Sequence, residues 1–265
     1  IRNNPDDMSE AAKYYIDMLK TIHAIEVEDG EVPDMKETAL AWADFVAPHI
    51  PEDQGKKLRA LVEAVPKQNT LMHGDYHTNN IMVQNGEPLL IDMDTLCMGH
   101  PIFELGSMVN AFIGYSELNP QTALDFFGFS HETAEKFWRL VLKMYLGTED
   151  EEVCRRVEEK AMVVGYTRML RRAIRRPSDA DSPAKIARCK EMLDFMRKLY
   201  TENLINKDFI TADENTWRAN LTANNKSFVT FDSVKYVDSL YESVKSSNHD
   251  FNLRYARPIS TDGKV

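Results

Sequence analysis

Residues 70–94, TLMHGDYHTNNIMVQNGEPLLIDMD, interrupt a chain that otherwise reads as helix. Apolar residues upstream recur at helical spacing: Ala12, Tyr15, Ile16, Leu19, Ile22 and His23 share one face of a predicted helix over 8–26. From Thr70 the period changes. TLMHG reads as a short extended piece, and NIMVQNGEPLLID as two β-prone runs around Asn85-Gly86, a strong two-residue hairpin signal. Helical patterning then resumes. Over residues 1–205 a small β segment is set among helices. It predicts an α+β chain, mostly α, with a hairpin as its β element.

That hairpin carries unusual polar chemistry. His73, Asp75, His77, Asn80, Asp92 and Asp94 lie between apolar runs. Such groups are costly beside a core unless paired, so their clustering points to a site. Asp75 and Asn80 sit five residues apart in a loop entering a strand, and Asp92 ends the paired strand. The set suits phosphoryl transfer, which asks for a carboxylate to orient and deprotonate a hydroxyl and for oxygen ligands to hold Mg²⁺. Magnesium takes carboxylate and amide oxygens rather than a cage of histidines. Asp75 is then the candidate base, and Asn80 and Asp92 the candidate metal ligands. Asp94 is two residues beyond Asp92. If the strand continues, both share a face, and Asp94 is a supporting residue. His73 is expected to hydrogen-bond backbone and hold the aspartates. His77 is expected to be a loop residue and His100 structural. In a competing reading, His73-x-Asp75-x-His77 with Asp92, Asp94 and His100 forms a metallohydrolase cluster for zinc or two metals, but this leaves Asn80 without a role.

HGDYHTNNIMV followed by LLIDMD resembles the catalytic loop and metal segment of the aminoglycoside phosphotransferase and choline kinase family. The family pattern is H-G-D, four residues, N, then strand, turn and a strand ending in I-D. His73, Gly74, Asp75, Asn80, Ile91 and Asp92 match it in order and spacing. GHPIFELGSM (99–108) resembles the segment that follows, with Glu104 where the family commonly has Asp. The resemblance implies a kinase-like C-terminal lobe over residues 1–205 with Asp75 as base and Asn80 and Asp92 on Mg²⁺. It also implies ATP or GTP as phosphate donor, and an aminoglycoside, choline-like alcohol or related amine as acceptor.

The predicted helices continue over 35–48, opened by an Asp34/Glu37 capping box, and from Pro51 at N1 to Pro66. After the hairpin they run near 102–115, 121–127, 130–146, 150–176 and 183–205, with Ser130 as N-cap and Gly147 as stop. The 150–176 helix carries Arg168, Arg171, Arg172, Arg175 and Arg176. These form a charged face, read as solvated or as a docking surface for an acidic partner or a preceding domain. From about 206 the texture becomes strand–helix–strand, a small α/β appendage or incomplete second domain.

Net charge is −10, with nearly all of the acidic excess in residues 1–200. That disfavours nucleic acid and is compatible with a cationic small-molecule substrate. No apolar run approaches the length of a membrane span, and no signal pattern appears. Cys97, Cys154 and Cys189 form no framework and read as small buried hydrophobes in a reducing, cytoplasmic setting. A kinase also needs a nucleotide lobe with a glycine-rich phosphate loop and a strand lysine. Neither GxGxxG nor GxxxxGK[ST] occurs, and Lys13 and Lys20 fall on a helix. The expectations are a fragment of a longer kinase, a non-catalytic kinase-like binding module, or a tail that replaces the lobe.

Overall fold

The computed structural model of the protein describes residues 1–84 and 87–201, with residues 196–201 described by backbone alone. The Asn85-Gly86 turn and the strand–helix–strand expected beyond residue 206 lie outside the described residues, as do residues 202–205 of the last predicted helix.

Three helices come first: α1 (Ser9–His23), α2 (Met35–Val46) and α3 (Glu52–Ala64). Asp34 caps α2 by accepting from the amides of Lys36 (2.7 Å) and Glu37 (3.4 Å), which satisfies donors that the helix leaves free. The reciprocal Glu37 bond of a capping box is not formed. Pro51 stands just before α3, one position earlier than the expected N1 site.

Four short strands follow: β1 (Thr70–Met72), β2 (Ile81–Gln84), β3 (Glu87–Leu90) and β4 (Cys97–Gly99). β2 and β3 form the expected antiparallel hairpin, in the register Ile81↔Leu90 to Gln84↔Glu87. β1 pairs antiparallel with β4, Thr70 opposite Gly99. The second pairing clamps both ends of the 70–99 segment, so the loop after β1 and the turn before β4 emerge side by side.

The remaining elements are α4 (Ile102–Val109), α5 (Gln121–Phe127), α6 (His131–Leu146), α7 (Glu151–Arg175) and α8 (Ser182–Thr201). Ser130 caps α6 through Thr133 N (3.1 Å), and Gly147 ends it in the left-handed region. The helix expected over 102–115 is not uniform. After α4 it widens into a π-helical turn, Asn110–Gly114, before Tyr115. Such bulges recur at functional sites because they re-aim side chains.

α4 and α7 make the most extensive helix pair. Gly106 and Gly165 meet at the crossing, where a Cβ on Gly165 would lie 2.7 Å from the Gly106 carbonyl oxygen. Only bare backbone permits that approach, and it brings the C-terminal half of α7 over the β1 loop. The core beneath is aromatic: Tyr15, Tyr76, Phe112, Phe127 and Phe137 interlock through edge and stacked contacts. Cys97, Cys154 and Cys189 are buried and unpaired, as small core residues. Among the described residues no helix is long and apolar enough to cross a membrane.

Candidate active site

The loop after β1 is held by one carboxylate. Glu104, 1 % exposed at the start of α4, accepts from the amides of His73 (2.6 Å), Gly74 (3.1 Å) and Tyr76 (3.3 Å). Burial pushes its pKa above the ordinary carboxylate range, and these donors offset part of that. Gly74 fits here for two reasons. Its φ is +81°, and a Cβ would lie 2.3 Å from the Thr95 carbonyl oxygen. Buried Tyr76 locks the loop to α1 reciprocally: its hydroxyl donates to Tyr15 O (2.6 Å), and the Tyr15 hydroxyl donates to Tyr76 O (3.1 Å).

His73 spans the loop and the hairpin. Nε2 lies 3.0 Å from the Ile91 carbonyl oxygen, and Nδ1 accepts from the Asp75 amide (3.3 Å). Both contacts are met by a neutral ring protonated at Nε2. The ring thus fixes Asp75 relative to the residue before Asp92.

Asp75 ends this framework half-buried, its side chain 40 % exposed. Arg168 Nη2 from α7 lies 3.3 Å from Oδ1, and Nη1 also donates to Gly74 O (2.9 Å) and Ser107 Oγ (2.6 Å). His77 Nε2 lies 3.6 Å from Oδ2. Burial disfavours the charged form of Asp75, but His77 and the Arg168 charge outweigh it, so the pKa falls below the usual 3.8. Asp75 is therefore ionised at neutral pH.

Asn80 is buried at the base of the hairpin. Its Nδ2 donates to the Asp75 carbonyl (3.0 Å), which leaves Oδ1 without a partner among the described residues, and its backbone carbonyl accepts from the Ile91 amide (2.9 Å). Asp92 follows directly. It is exposed, makes no hydrogen bond or ion pair among the described residues, and is the only non-glycine among them at positive φ (60°). Asp tolerates this conformation better than most residues, yet it carries strain, and such strain collects at functional sites. Asp75, Asn80 and Asp92 line one cleft of about 540 Å³, within the range of small-molecule sites. An amide oxygen and an unpaired carboxylate beside an ionised aspartate form a donor set that fits Mg²⁺.

Two expectations are corrected. The strand does not continue through Asp94: β3 stops at Leu90, and Met93–Thr95 is a 3₁₀ turn. Asp94 is exposed, and it does not line the cleft with Asp92. The His73/Asp75/His77 metal cluster does not form either. Both nitrogens of His73 are engaged with backbone, and no group of three His, Cys, Asp or Glu among the described residues is arranged to hold a metal. His77 instead lies edge-on to Phe126, with Nδ1 buried and unpartnered.

Glu104 and Arg168 carry more of the site than sequence reasoning assigned them. The first was visible as an acid in an apolar stretch. The second was hidden in a run of arginines.

A cleft with an ionised aspartate, an amide oxygen and a free carboxylate is chemistry of the phosphoryl-transfer class. A model of the Phosphotransferase enzyme family matches residues 2–140, more than half of the chain and all of these groups except Arg168. The chain belongs to that family. No curated protein matches it, and no solved structure does.

Proposed function

We propose that the protein is a kinase that moves the γ-phosphate of ATP or GTP to a hydroxyl of a small molecule, in a kinase-like fold. The carrying observation is that Asp75, fixed by Arg168 and positioned by His73, faces the same cleft as Asn80 and Asp92. Arg168 engages Oδ1, and Oδ2, which has His77 Nε2 at 3.6 Å, is the oxygen more open to the acceptor hydroxyl. The acceptor oxygen forms the new bond to phosphorus, the bond to the β-phosphate oxygen breaks, and the acceptor proton passes to Asp75. A carboxylate with a depressed pKa is a weak base. Its role is to orient the hydroxyl and to take the proton late, as a loose transition state requires. Asn80 Oδ1 and Asp92 would hold Mg²⁺, which when bound neutralises charge on the phosphates. The family's amine-bearing acceptors are one candidate class, with which the overall acidity of the chain is compatible. The wall of the cleft favours another, developed below.

The second reading, a non-catalytic module of the same shape, draws on the Arg168–Asp75 contact, which in a silent protein would simply neutralise the aspartate. Calorimetric titration of the full-length protein with Mg²⁺–ATP and Mg²⁺–GTP separates the two when combined with turnover. Nucleotide binding that is lost in Asp92→Ala, with phosphate transfer lost in Asp75→Asn, supports the kinase. Binding without transfer to any hydroxylated acceptor supports the module. Binding indifferent to Asp92 removes Asp92 as a metal ligand.

A further inference from the structure

The kinase reading uses Asp75, Asn80 and Asp92 and leaves the wall formed by α7 without a task. There Arg168, Arg171, Arg172, Arg175 and Arg176 surround, with Tyr115, a second cavity of about 300 Å³. It shares Arg168, Arg172 and Tyr115 with the Asp75 cleft and includes none of Asp75, Asn80 or Asp92. It therefore extends the cleft away from the metal pair, where the nucleotide phosphates belong.

Among the described residues only Arg168 of these five is ion-paired; Asp179 lines the adjoining cleft without pairing to them. Arg168 has Asp75, and Lys185 at the cleft edge has Asp181 (2.5 Å). Arg171, Arg172, Arg175 and Arg176 make no ion pair among the described residues, although the whole chain carries a net charge of −10. Two of them are held by aromatic faces instead, Arg171 over Trp42 (5.8 Å) and Arg172 over Tyr115 (5.5 Å). Burial, then the charges of Arg175 and Arg168, disfavour the protonated form of Arg171, as expected of a positive cluster without its counter-ion. Guanidinium groups fixed in this way are preorganised for two-pronged recognition of phosphate or carboxylate.

Asn110 of the π turn lines the Asp75 cleft, but its amide is spent on the helix crossing: Nδ2 donates to Gly165 O (2.7 Å), and the buried Oδ1 lies against Gly114 and Gly165. The family match ends at residue 140, so the arginine wall lies beyond the part of the chain it covers.

We propose that the arginine cavity anchors a phosphate or carboxylate of the acceptor, so that the substrate is an anionic, hydroxyl-bearing small molecule rather than an amine. The inference rests on the kinase reading for its catalytic half. Its binding half stands without it. The acidity of the chain as a whole does not bear on the local field, which short-range groups on α7 set.

Titrations of the full-length protein with ribose 5-phosphate, gluconate, ribose, kanamycin and polyglutamate test it, alongside the double variant Arg172→Gln/Arg175→Gln. Both substituted residues are exposed, so the fold should persist, and a thermal melt checks this. At least one of the two small anions should bind about tenfold or more tighter than ribose and kanamycin. The double variant should lose about tenfold in that affinity while keeping Mg²⁺–ATP affinity within about twofold. Which anion binds decides between phosphate and carboxylate. Anions that bind no better than ribose would overturn the proposal, and so would binding unchanged in the double variant. Polyglutamate binding without either small anion would make the wall a docking face for an acidic macromolecule and would also overturn it. Loss of Mg²⁺–ATP binding in the double variant would assign the arginines to the nucleotide, again against the proposal. Mg²⁺–ATP binding that survives Asp92→Ala counts against the kinase reading alone.

Discussion

The two segments that meet at the cleft are built on opposite principles. The loop from His73 to Asn80 is over-determined. Glu104 takes three of its amides, Tyr76 exchanges bonds with Tyr15, and His73 and Arg168 fix Asp75. The turn from Asp92 to Thr95 is exposed, opens in the left-handed region, and leaves the Asp92 and Asp94 carboxylates without partners among the described residues. The arginine wall resembles the turn, with its charge held in place and not neutralised. A group that must be oriented at the moment of reaction gains from rigidity, since preorganisation lowers the reorganisation needed in the transition state. A group that must receive a cation or an anion gains from being left unsatisfied.

The contrast is broken most severely at Asp75. Asp75→Asn keeps the shape and removes the base, so kcat should fall by about 10²–10⁴-fold. Mg²⁺–nucleotide affinity should hold, because the proposed metal ligands, Asn80 and Asp92, are elsewhere. Steady-state kinetics with calorimetry on one preparation checks both. Turnover within a few-fold of the parent would remove Asp75 from the chemistry.

Glu104 comes next. Glu104→Ala strands three buried amides, and an unfolding free energy lower by about 2–4 kcal/mol is expected from urea denaturation. A loss below about 0.5 kcal/mol would mean that water replaces the carboxylate and that the loop is not held as described.

The turn should respond in the other sense. Asp92→Gly relieves the positive φ and removes the proposed metal ligand. The variant should be more stable by up to about 1 kcal/mol and should lose Mg²⁺-dependent nucleotide binding. A destabilised Asp92→Gly would show that the carboxylate supports the fold.

What was legible in the sequence follows the same division. Local features read correctly: the apolar face of α1, Asp34 and Ser130 as caps, Gly147 as a stop, and the β2–β3 hairpin. Each is decided within a few residues by periodicity or by an unsatisfied backbone group. The pairing of β1 with β4 was not legible, because its partners lie far apart and three residues carry too little pattern. Nor was the end of β3 at Leu90, since a left-handed aspartate looks like any other in sequence. The spacing brought Asp75, Asn80 and Asp92 together, whereas Asp94 followed from an assumed strand and fell away. Arg168 shared its appearance with four neighbours. Only the close crossing at Gly106 and Gly165 turns it toward Asp75.

The smallest effect is the most diagnostic of how the loop is tuned. The folded-state pKa of Asp75 lies below its ordinary value of 3.8. A carboxylate depressed in this way stabilises the fold above its unfolded pKa, and that contribution is lost as pH falls through the folded value. Arg168→Gln removes one of the charges that depress it, so the pKa should rise toward 3.8 or beyond, burial then being less opposed. At pH 6 the variant should be less stable than the parent. The gap should narrow on acidification through the window just below 3.8, where the parent's Asp75 takes up its proton. Because Asp75 is 40 % exposed, solvent screens the pair, and the pH-dependent part of the gap should stay under about 1 kcal/mol. The bonds from Arg168 to Gly74 and Ser107 contribute a part that does not change with pH. Glu104 titrates in the opposite sense, losing stability as pH rises through its elevated value, but it is present in both proteins and cancels in the difference. Urea unfolding at pH 6 and pH 3 measures the gap, with the Asp75→Asn pair as control. In that background the gap should not vary with pH. A gap of the same size at both pH values with Asp75 in place would mean that Arg168 supports the loop through its backbone and serine bonds alone.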